Sequence, residues 1–292
     1  MKIKDGFSRN AFVVINTVFM LFISFIMLYP MMYIIFASFS DSSELMRNGG
    51  LLFWPKGFNI ESYRAVFKNP NIVNGFKNTF VILSASLSLQ MLLTLLAGYV
   101  LSRKNLMLNK FFTLFMTFTM FFSGGMIPSY LIVKGLGLLD TYWSVIIPGA
   151  VNVTNVIIMR TGFLGIPDSL SESATIDGAN KMTILFRILV PVLKPTIAVI
   201  TLYYAVGTWN SWFNAMLYMS KARNLQPLQC VLRDILIMND TASMESGAID
   251  EQSVAETIKY AVIVVSTVPI LLLYPFLQKY FAKGAMMGSV KG

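Results

Sequence analysis

Charged side chains are missing from six stretches of this chain: residues 11–40, 78–102, 111–133, 141–159, 195–220 and 260–278. The stretches are 30, 25, 23, 19, 26 and 19 residues long and make up nearly half of the 292 positions. A helix needs about 20 apolar residues to cross a hydrocarbon layer about 30 Å thick. Each stretch is therefore long enough to cross once and none is long enough to cross twice. The pattern predicts an all-α polytopic membrane protein with six transmembrane helices. Helical periodicity adds little inside these stretches, because a lipid-facing helix is apolar on every side.

The first stretch has Lys2, Lys4 and Arg9 ahead of it, as a secretory leader would. Its apolar run far exceeds the roughly 7–15 residues of a signal core. A retained helix from about Ala11 to Phe36 is expected, with the freed carbonyl opposite Pro30 satisfied by neighbouring helices.

Composition narrows the choice of chemistry. The chain is 55% hydrophobic and only 13% charged, with no His and one Cys, Cys230. A histidine-dependent triad, a His-ligated zinc site and an internal disulfide are excluded. No Gly-Lys dipeptide occurs, so the phosphate-binding loop G-x-x-x-x-G-K-[ST] is impossible. Gly135 and Gly137 lack the third glycine and the strand of a dinucleotide fingerprint and read as a turn.

The net charge of +9 is unevenly spread. With the N-terminus inside, 13 Lys and Arg fall on the cytoplasmic side and 10 outside. Asp5, Asp168, Glu172 and Asp177 are the inside acids and the other 10 are outside, which leaves +9 inside and zero outside. That asymmetry is the positive-inside pattern, and it accounts for the basic charge without nucleic acid. It predicts cytoplasmic termini, outer segments at 41–77 and 221–258, and a cytoplasmic segment at 160–194. The expected organisation is a first helix and outer loop (1–75), a core of five helices (76–282) and a cytoplasmic tail (283–292).

Residues 160–194 are too charged to cross. Pro167 and Asp168 mark a break, and Ser169 with Glu172 fits a capping box that would start a short helix. Gly178 would end that helix. A second amphipathic stretch carries Met182, Leu185, Phe186 and Leu189 and ends at Pro191. A short helix lying between two spans suits the docking of another protein.

Here the chain resembles the permease subunits of binding-protein-dependent ATP-binding-cassette importers, of the maltose-permease-like carbohydrate class. Their signature runs Glu-Ala-Ala, three residues, Gly, nine residues, Ile, one residue, Leu-Pro. It is matched in spacing by Glu172-Ser173-Ala174, Gly178, Ile188 and Val190-Pro191. Ser173 and Val190 are conservative departures, and Asp177-Gly178-Ala179 supplies the usual continuation. Pro55, Phe58 and Tyr63, the Trp209–Trp212 stretch and the glycine-bearing tail extend the resemblance over essentially the whole chain.

The resemblance implies a type I importer permease fold. Near 168–180 it implies a coupling helix in which Glu172, Ser173, Ala174, Asp177, Gly178 and Ala179 seat in a cytoplasmic ATPase. It also implies a second, related permease subunit, two ATP-binding subunits and an extracytoplasmic solute-binding protein, in a bacterial plasma membrane. ATP and Mg would be held by the ATPases, and no cofactor or metal by this chain. The implied activity is sugar import by alternating access, not catalysis.

The four Trp residues, Trp54, Trp143, Trp209 and Trp212, all fall on the outer side of this topology. An aromatic belt at headgroup level explains each of them singly. Stacking on sugar faces is the sharper reading for Trp209 and Trp212, with Asn210 and Asn214 offering amide groups to neutral hydroxyls. Polar residues within the spans (Ser84, Ser86, Ser88, Gln90, Asn152, Asn155, Thr201, Tyr203, Tyr204) read singly as helix–helix contacts. Pro128, Pro148, Pro269, Pro275 and Gly124-Gly125 mark places where helices bend or break. The absence of fixed charge in the spans favours a neutral oligosaccharide. It also weighs against the alternative, an ion-coupled secondary transporter, which usually needs intramembrane ionisable groups.

Overall fold

The structure is a computed structural model that describes residues 7–245 and 257–272. Part of the second outer segment (246–256), the sixth charge-free stretch beyond Leu272, Pro275 and the expected tail 283–292 lie outside the described residues. All regular structure among the described residues is helical. Contacts divide the chain into two units, Met1–Asn69 with Leu232–Thr267, and Pro70–Val231 with Val268–Gly292.

The first unit is built on α1, Phe7–Ser38, which runs unbroken through Pro30. Two short helices follow, α2 (Ser42–Asn48) and α3 (Glu61–Lys68). Asp41 starts α2 by accepting hydrogen bonds from the Ser43 and Glu44 amides at 3.0 and 3.4 Å. The bond from the Ser43 hydroxyl, ahead of those amides, holds the Asp41 carboxyl below its ordinary value. A small core of Ala37, Leu45 and Leu52, flanked by Tyr33, Phe36 and Tyr260, ties this segment to α1.

The second unit is organised by α4, Pro70–Ser102. Its buried positions recur every three or four residues and include Gly75, Asn78, Thr79, Ser86, Gln90, Thr94 and Gly98. Its exposed face carries Val73, Phe80, Leu92 and Val100. Most of the buried positions are small or polar, with Ile72, Ile82, Leu95 and Leu101 among them, while large apolar side chains stand exposed. This distribution suits a lipid solvent, where close backbone approach and internal hydrogen bonds drive helix association. Against α4 pack α8 (Val153–Leu164) and α11 (Lys194–Trp209) around Leu95, Met159, Phe163, Leu185, Ile200 and Tyr204. Between them in sequence lie α5 (Asn109–Phe121), α6 (Met126–Gly135), α7 (Trp143–Ile146), α9 (Asp168–Ile176) and α10 (Lys181–Val192). After α11 come α12 (Phe213–Tyr218), α13 (Leu228–Glu245) and α14 (Thr257–Leu272).

The six charge-free stretches fold in different ways. Among the described residues two helices are long and apolar enough to cross a bilayer alone, α1 from Arg9 and α4. The third stretch is broken at 122–125, where α5 and α6 meet at 113°, as the Gly124-Gly125 pair forecasts. The fourth holds the four-residue α7, a turn through Pro148, and the start of α8. The fifth is interrupted at 210–212, and α11 meets α10 at 86°. That second bend has a cause in sequence: Pro195 has no amide proton to continue the helix that holds Pro191.

Candidate functional site

Two sites are built within the second unit, at opposite ends of sequence logic: a short exposed helix made of charged and small residues, and a cavity lined by neutral polar ones.

The short helix α9 runs Asp168–Ile176, one residue earlier than expected, and its N-cap Pro167 makes no side-chain cap. The Ser169–Glu172 capping box is therefore not formed. Asp168 occupies the first turn, where a carboxylate opposes the positive end of the helix. It also pairs with Lys104 Nζ at 2.8 Å. The bond from Lys104, and then its charge, holds the Asp168 carboxyl below its ordinary value. Asp168 in turn raises the Lys104 ammonium. Arg103 reaches Ser171 Oγ at 3.4 Å and lies over the Tyr99 ring at 4.2 Å. Arg160 Nε donates to the Leu101 carbonyl at 3.0 Å. Loops assigned to one face by charge alone thus meet at one end of α4.

The helix ends on Gly178 with φ of +81°. Ala179 N donates to the Ala174 carbonyl at 2.9 Å, the six-residue closure of a left-handed C-terminal cap. The backbone conformation is what requires glycine, because a Cβ there would meet nothing within 4 Å in this chain. Of the six expected docking residues, Glu172, Ser173, Asp177 and Gly178 are exposed and Ala179 is half-buried. Ala174 is turned into the permease's own core. The residue that sequence reasoning passed over is Ile176, which is 86% exposed beside Glu172 and Thr175. A large apolar residue in the last turn of a short helix otherwise apolar only at Leu170 and Ala174 was the available signal. Downstream, Ile184–Leu189 forms a π-helical turn, so the signature's Ile188 sits in a local widening of the helix. Such widenings often mark functional positions.

The cavity has a volume of about 470 Å³ and lies among α4, the turn before α8, and α11. Ser86, Gln90, Asn152, Asn155, Tyr203 and Asn214 are among its polar lining, and no charged residue borders it among the described residues. Its wall includes the irregular backbone at 147–152. Polar groups there must be met by protein or face a cavity. Gln90 Nε2 donates to the Gly149 carbonyl at 2.9 Å, and the Tyr204 hydroxyl accepts from the Asn152 amide at 3.1 Å. The same hydroxyl is 2.7 Å from Thr94 Oγ1. Asn152 also caps α8 by accepting from the Asn155 amide at 3.1 Å.

Of the four expected pathway residues, only Asn214 borders the cavity. Trp209 is buried with its ring against Phe76 and Phe80, at 6.4 and 5.7 Å. Asn210 is exposed at the end of α11, and Trp212 stacks edge-on against Phe213. In their place, six of the nine span residues read as helix contacts (Ser86, Gln90, Asn152, Asn155, Tyr203, Tyr204) border the cavity. Gln90 and Tyr204 do both, holding backbone and lining the space.

A third cluster lies at the other end of α4. Asn78 Nδ2 donates to the Asn224 and Gln226 carbonyls at 2.8 and 2.9 Å, and Asn78 Oδ1 accepts from the Tyr142 hydroxyl at 2.8 Å. Asp140 Oδ1 accepts from the Lys221 and Ala222 amides at 2.9 and 3.1 Å. These residues come from segments that the charge sum assigns to the outer face.

A helical fold among the described residues, an exposed short helix and a polar cavity, in a chain without a nucleotide motif, have the character of a transport subunit. Comparison with known proteins gives the family directly: the chain belongs to the sugar-transport permease subunits of ABC transporters. It is 42% identical to the polygalacturonan/rhamnogalacturonan transport system permease protein YtcP of Bacillus subtilis, over 94% of this chain and 96% of that one. It is 41% identical to protein LplC of the same organism, over 97% and 96%. Its fold matches the crystal structure of a bacterial ABC transporter involved in the import of the acidic polysaccharide alginate. That match has a TM-score of 0.88 and 31% identity, and covers 96% of this chain and all of that one. No family model matches the chain.

Proposed function

We propose that this chain is one of two permease halves of an ATP-driven importer that carries an oligosaccharide across a bacterial plasma membrane. A related permease would complete the pore. Two cytoplasmic ATPases would dock on the coupling helices, and an extracytoplasmic binding protein would deliver the solute at the face bearing Asn78 and Asp140. ATP and Mg belong to the ATPases. Their closure would draw the two coupling helices together and turn the cavity from one side of the membrane to the other.

The observation that carries this reading is the presentation of α9. Glu172, Ser173, Ile176 and Asp177 stand exposed on a helix held to α4 by the Lys104–Asp168 pair and to the core by Ala174. A rigid helix with an exposed apolar residue ringed by polar ones has the anatomy of a small interface, where a few central side chains carry most of the energy. The cargo assignment draws on the relatives' names and on the cavity. Amide and hydroxyl groups without fixed charge suit a molecule dense in hydroxyls. A carboxylate on such a glycan would have to travel hydrated.

The test is copurification of the ATPase together with ATP-dependent uptake of a panel of neutral and uronate-bearing oligosaccharides. Ile176→Asp changes an exposed side chain and leaves the permease core alone. It should insert normally, lose the ATPase and abolish uptake. Gly178→Lys adds bulk and charge on a backbone that disfavours it, and should do the same. Gly178→Asn keeps a residue that tolerates the left-handed conformation and should retain more of both. Full uptake with normal copurification in Ile176→Asp and Gly178→Lys would remove α9 as the docking element.

A further inference from the structure

In the first unit the chain does not depart from the side of α1 at Ser38. It runs through α2, turns at Gly49, and comes back down the side of α1 over residues 51–54. The contacts mark the descent. Trp54 packs on Phe36 at 6.2 Å, Phe53 on Tyr29 at 5.4 Å, and Leu52 N donates to the Tyr29 hydroxyl at 3.0 Å. Tyr29 lies nine residues before the end of α1, about 14 Å along its axis at 1.5 Å per residue. The chain then climbs back, for Lys56 N donates to Ser40 Oγ at 3.0 Å and Lys56 O accepts from Asp41 N at 2.8 Å.

What the returning segment exposes is apolar. Leu51, Phe53 and Trp54 are 70, 58 and 75% exposed, while Leu52 is buried against α1. No charge occurs between Arg47 and Lys56. Two backbone groups of this segment have protein partners: Tyr29 serves the Leu52 amide, and Asn48 Nδ2 lies 3.4 Å from the Leu51 carbonyl. The charged part of the loop, with Glu44, Arg47 and Lys56, stays beside the end of α1. Irregular backbone is tolerated within a bilayer only where protein satisfies it. Aromatic rings collect at the headgroup boundary, and a long cationic side chain beside them can extend toward water.

We propose that residues 51–54 are a membrane-seated tip, pressed into the leaflet that surrounds the C-terminal end of α1. Trp54 lies at the headgroup boundary and Phe53 against the upper acyl chains. The occupant of this surface is lipid, because the apolar face is continuous with that of α1, whose large apolar side chains from Phe12 to Leu28, Ile23 excepted, are exposed in the same way. The tip fixes the height of the first unit in the membrane. The inference rests on the chain being a membrane permease, not on the cargo or on the docking role of α9.

The experiment is spin labelling of the whole transporter reconstituted in phosphatidylcholine and phosphatidylglycerol vesicles. Single cysteines replace Leu51, Phe53, Trp54 and, as a reference, Glu44, in a Cys230→Ala background. Collision with oxygen, which partitions into lipid, is compared with collision with a water-soluble nickel chelate. Oxygen should dominate at 51, 53 and 54, most strongly at 53, and nickel should dominate at 44. Nickel dominance at 53 and 54 would put the tip in water and overturn the proposal in favour of a soluble partner. Low collision with both reagents would overturn it in favour of cover by another subunit. Leu51→Cys replaces a largely exposed side chain, so a result is obtained even if the labels at 53 and 54 disturb packing. ATP-dependent uptake by the labelled complexes separates this outcome from failure of the transport reading.

Discussion

Glycine at position 98 sets how closely α4 and α8 can approach, and the consequence can be measured. A Cβ on Gly98 would lie 2.7 Å from Met159 Cγ, 2.9 Å from Met159 Cβ and 3.1 Å from the Arg160 amide nitrogen. Met159 is fully buried and cannot swing into solvent, and its Cβ cannot move without its backbone. Gly98→Ala must therefore push the two helices apart. Overpacking of a tight core costs about 1–3 kcal/mol. Replacing a mid-helix glycine with alanine returns up to about 1 kcal/mol of helix propensity. The net expectation is a loss of about 1–2 kcal/mol. Gly207, within α11, has nothing within 4 Å of its virtual Cβ. Gly207→Ala should then show only the propensity gain and be neutral or slightly stabilising.

Comparing the two variants cancels the helix-propensity contribution common to both. The assay is reversible unfolding of the solubilised permease in a denaturing detergent titration, with each variant referred to wild type. Separation of α4 from α8 should also weaken the Arg160–Leu101 contact, which is three residues further along α4 and 3.0 Å long. Gly98→Ala should accordingly lose ATPase copurification before it loses insertion. Equal midpoints for the two alanine variants, or a more stable Gly98→Ala, would refute the close-packing argument.

Two further outcomes are expected. Asn78→Leu removes three hydrogen bonds at a buried position and strands the Tyr142 hydroxyl, so it should cost about 2–4 kcal/mol in the same titration; Tyr142→Phe should cost about 1 kcal/mol. Asp168 is held below its ordinary 3.8 by Lys104, and Lys104 above its ordinary 10.5 by Asp168. The depressed carboxylate contributes from above its unfolded value and is lost as pH falls through the lower folded one. The raised ammonium contributes below its unfolded value and is lost as pH rises through the higher folded one. ATPase copurification should therefore be flat across the whole neutral range in wild type. Because the pair is exposed, Lys104→Met should leave the unfolding midpoint unchanged while reducing copurification at all these pH values.

The parts of this molecule that were legible in the sequence are those fixed by solvent. Lipid excludes charge, so charge-free stretches mark the apolar helices, and the charges left over sort the loops by face. Residues that the charge sum groups together meet although far apart in sequence, Lys104 with Asp168 and Asp140 with the Lys221 amide. The short helix α9 was legible for a different reason: its spacing is imposed by a cap that demands Gly178 and a core contact that demands a small residue at 174. What could not be read was where helices stop inside an apolar stretch. Composition there says that the chain can lie in lipid and says nothing of the partner that takes up a freed backbone group. The partners are distant residues, Gln90 for Gly149 and Tyr204 for Asn152. Trp209 misled for the same reason, since its two ring neighbours, Phe76 and Phe80, are more than a hundred residues away.

The buried stripe of α4 brings these features into one physical account. From Asn78 through Gln90 and Thr94 to Gly98, the same helical face meets three different neighbours by three different means. At Asn78 the contact is a set of directional hydrogen bonds to loop carbonyls and the Tyr142 hydroxyl, at Gln90 it borders the cavity with Thr94 bonded to Tyr204 beside it, and at Gly98 bare backbone meets the buried Met159 side chain and the Arg160 amide nitrogen. A glycine contact tolerates almost no change in helix separation, because there is no side chain to re-rotamerise. A side-chain hydrogen bond across a cavity tolerates more, because water or a sugar hydroxyl can replace the lost partner. Relative motion of the helices is therefore cheapest around the cavity and dearest at the end that carries α9. A pull on α9 should pass through Met159 and Gly98 into α4 as a rigid displacement and be absorbed where Gln90 and Tyr204 hold the irregular turn, which places the deformable layer of the fold at its uncharged polar cavity.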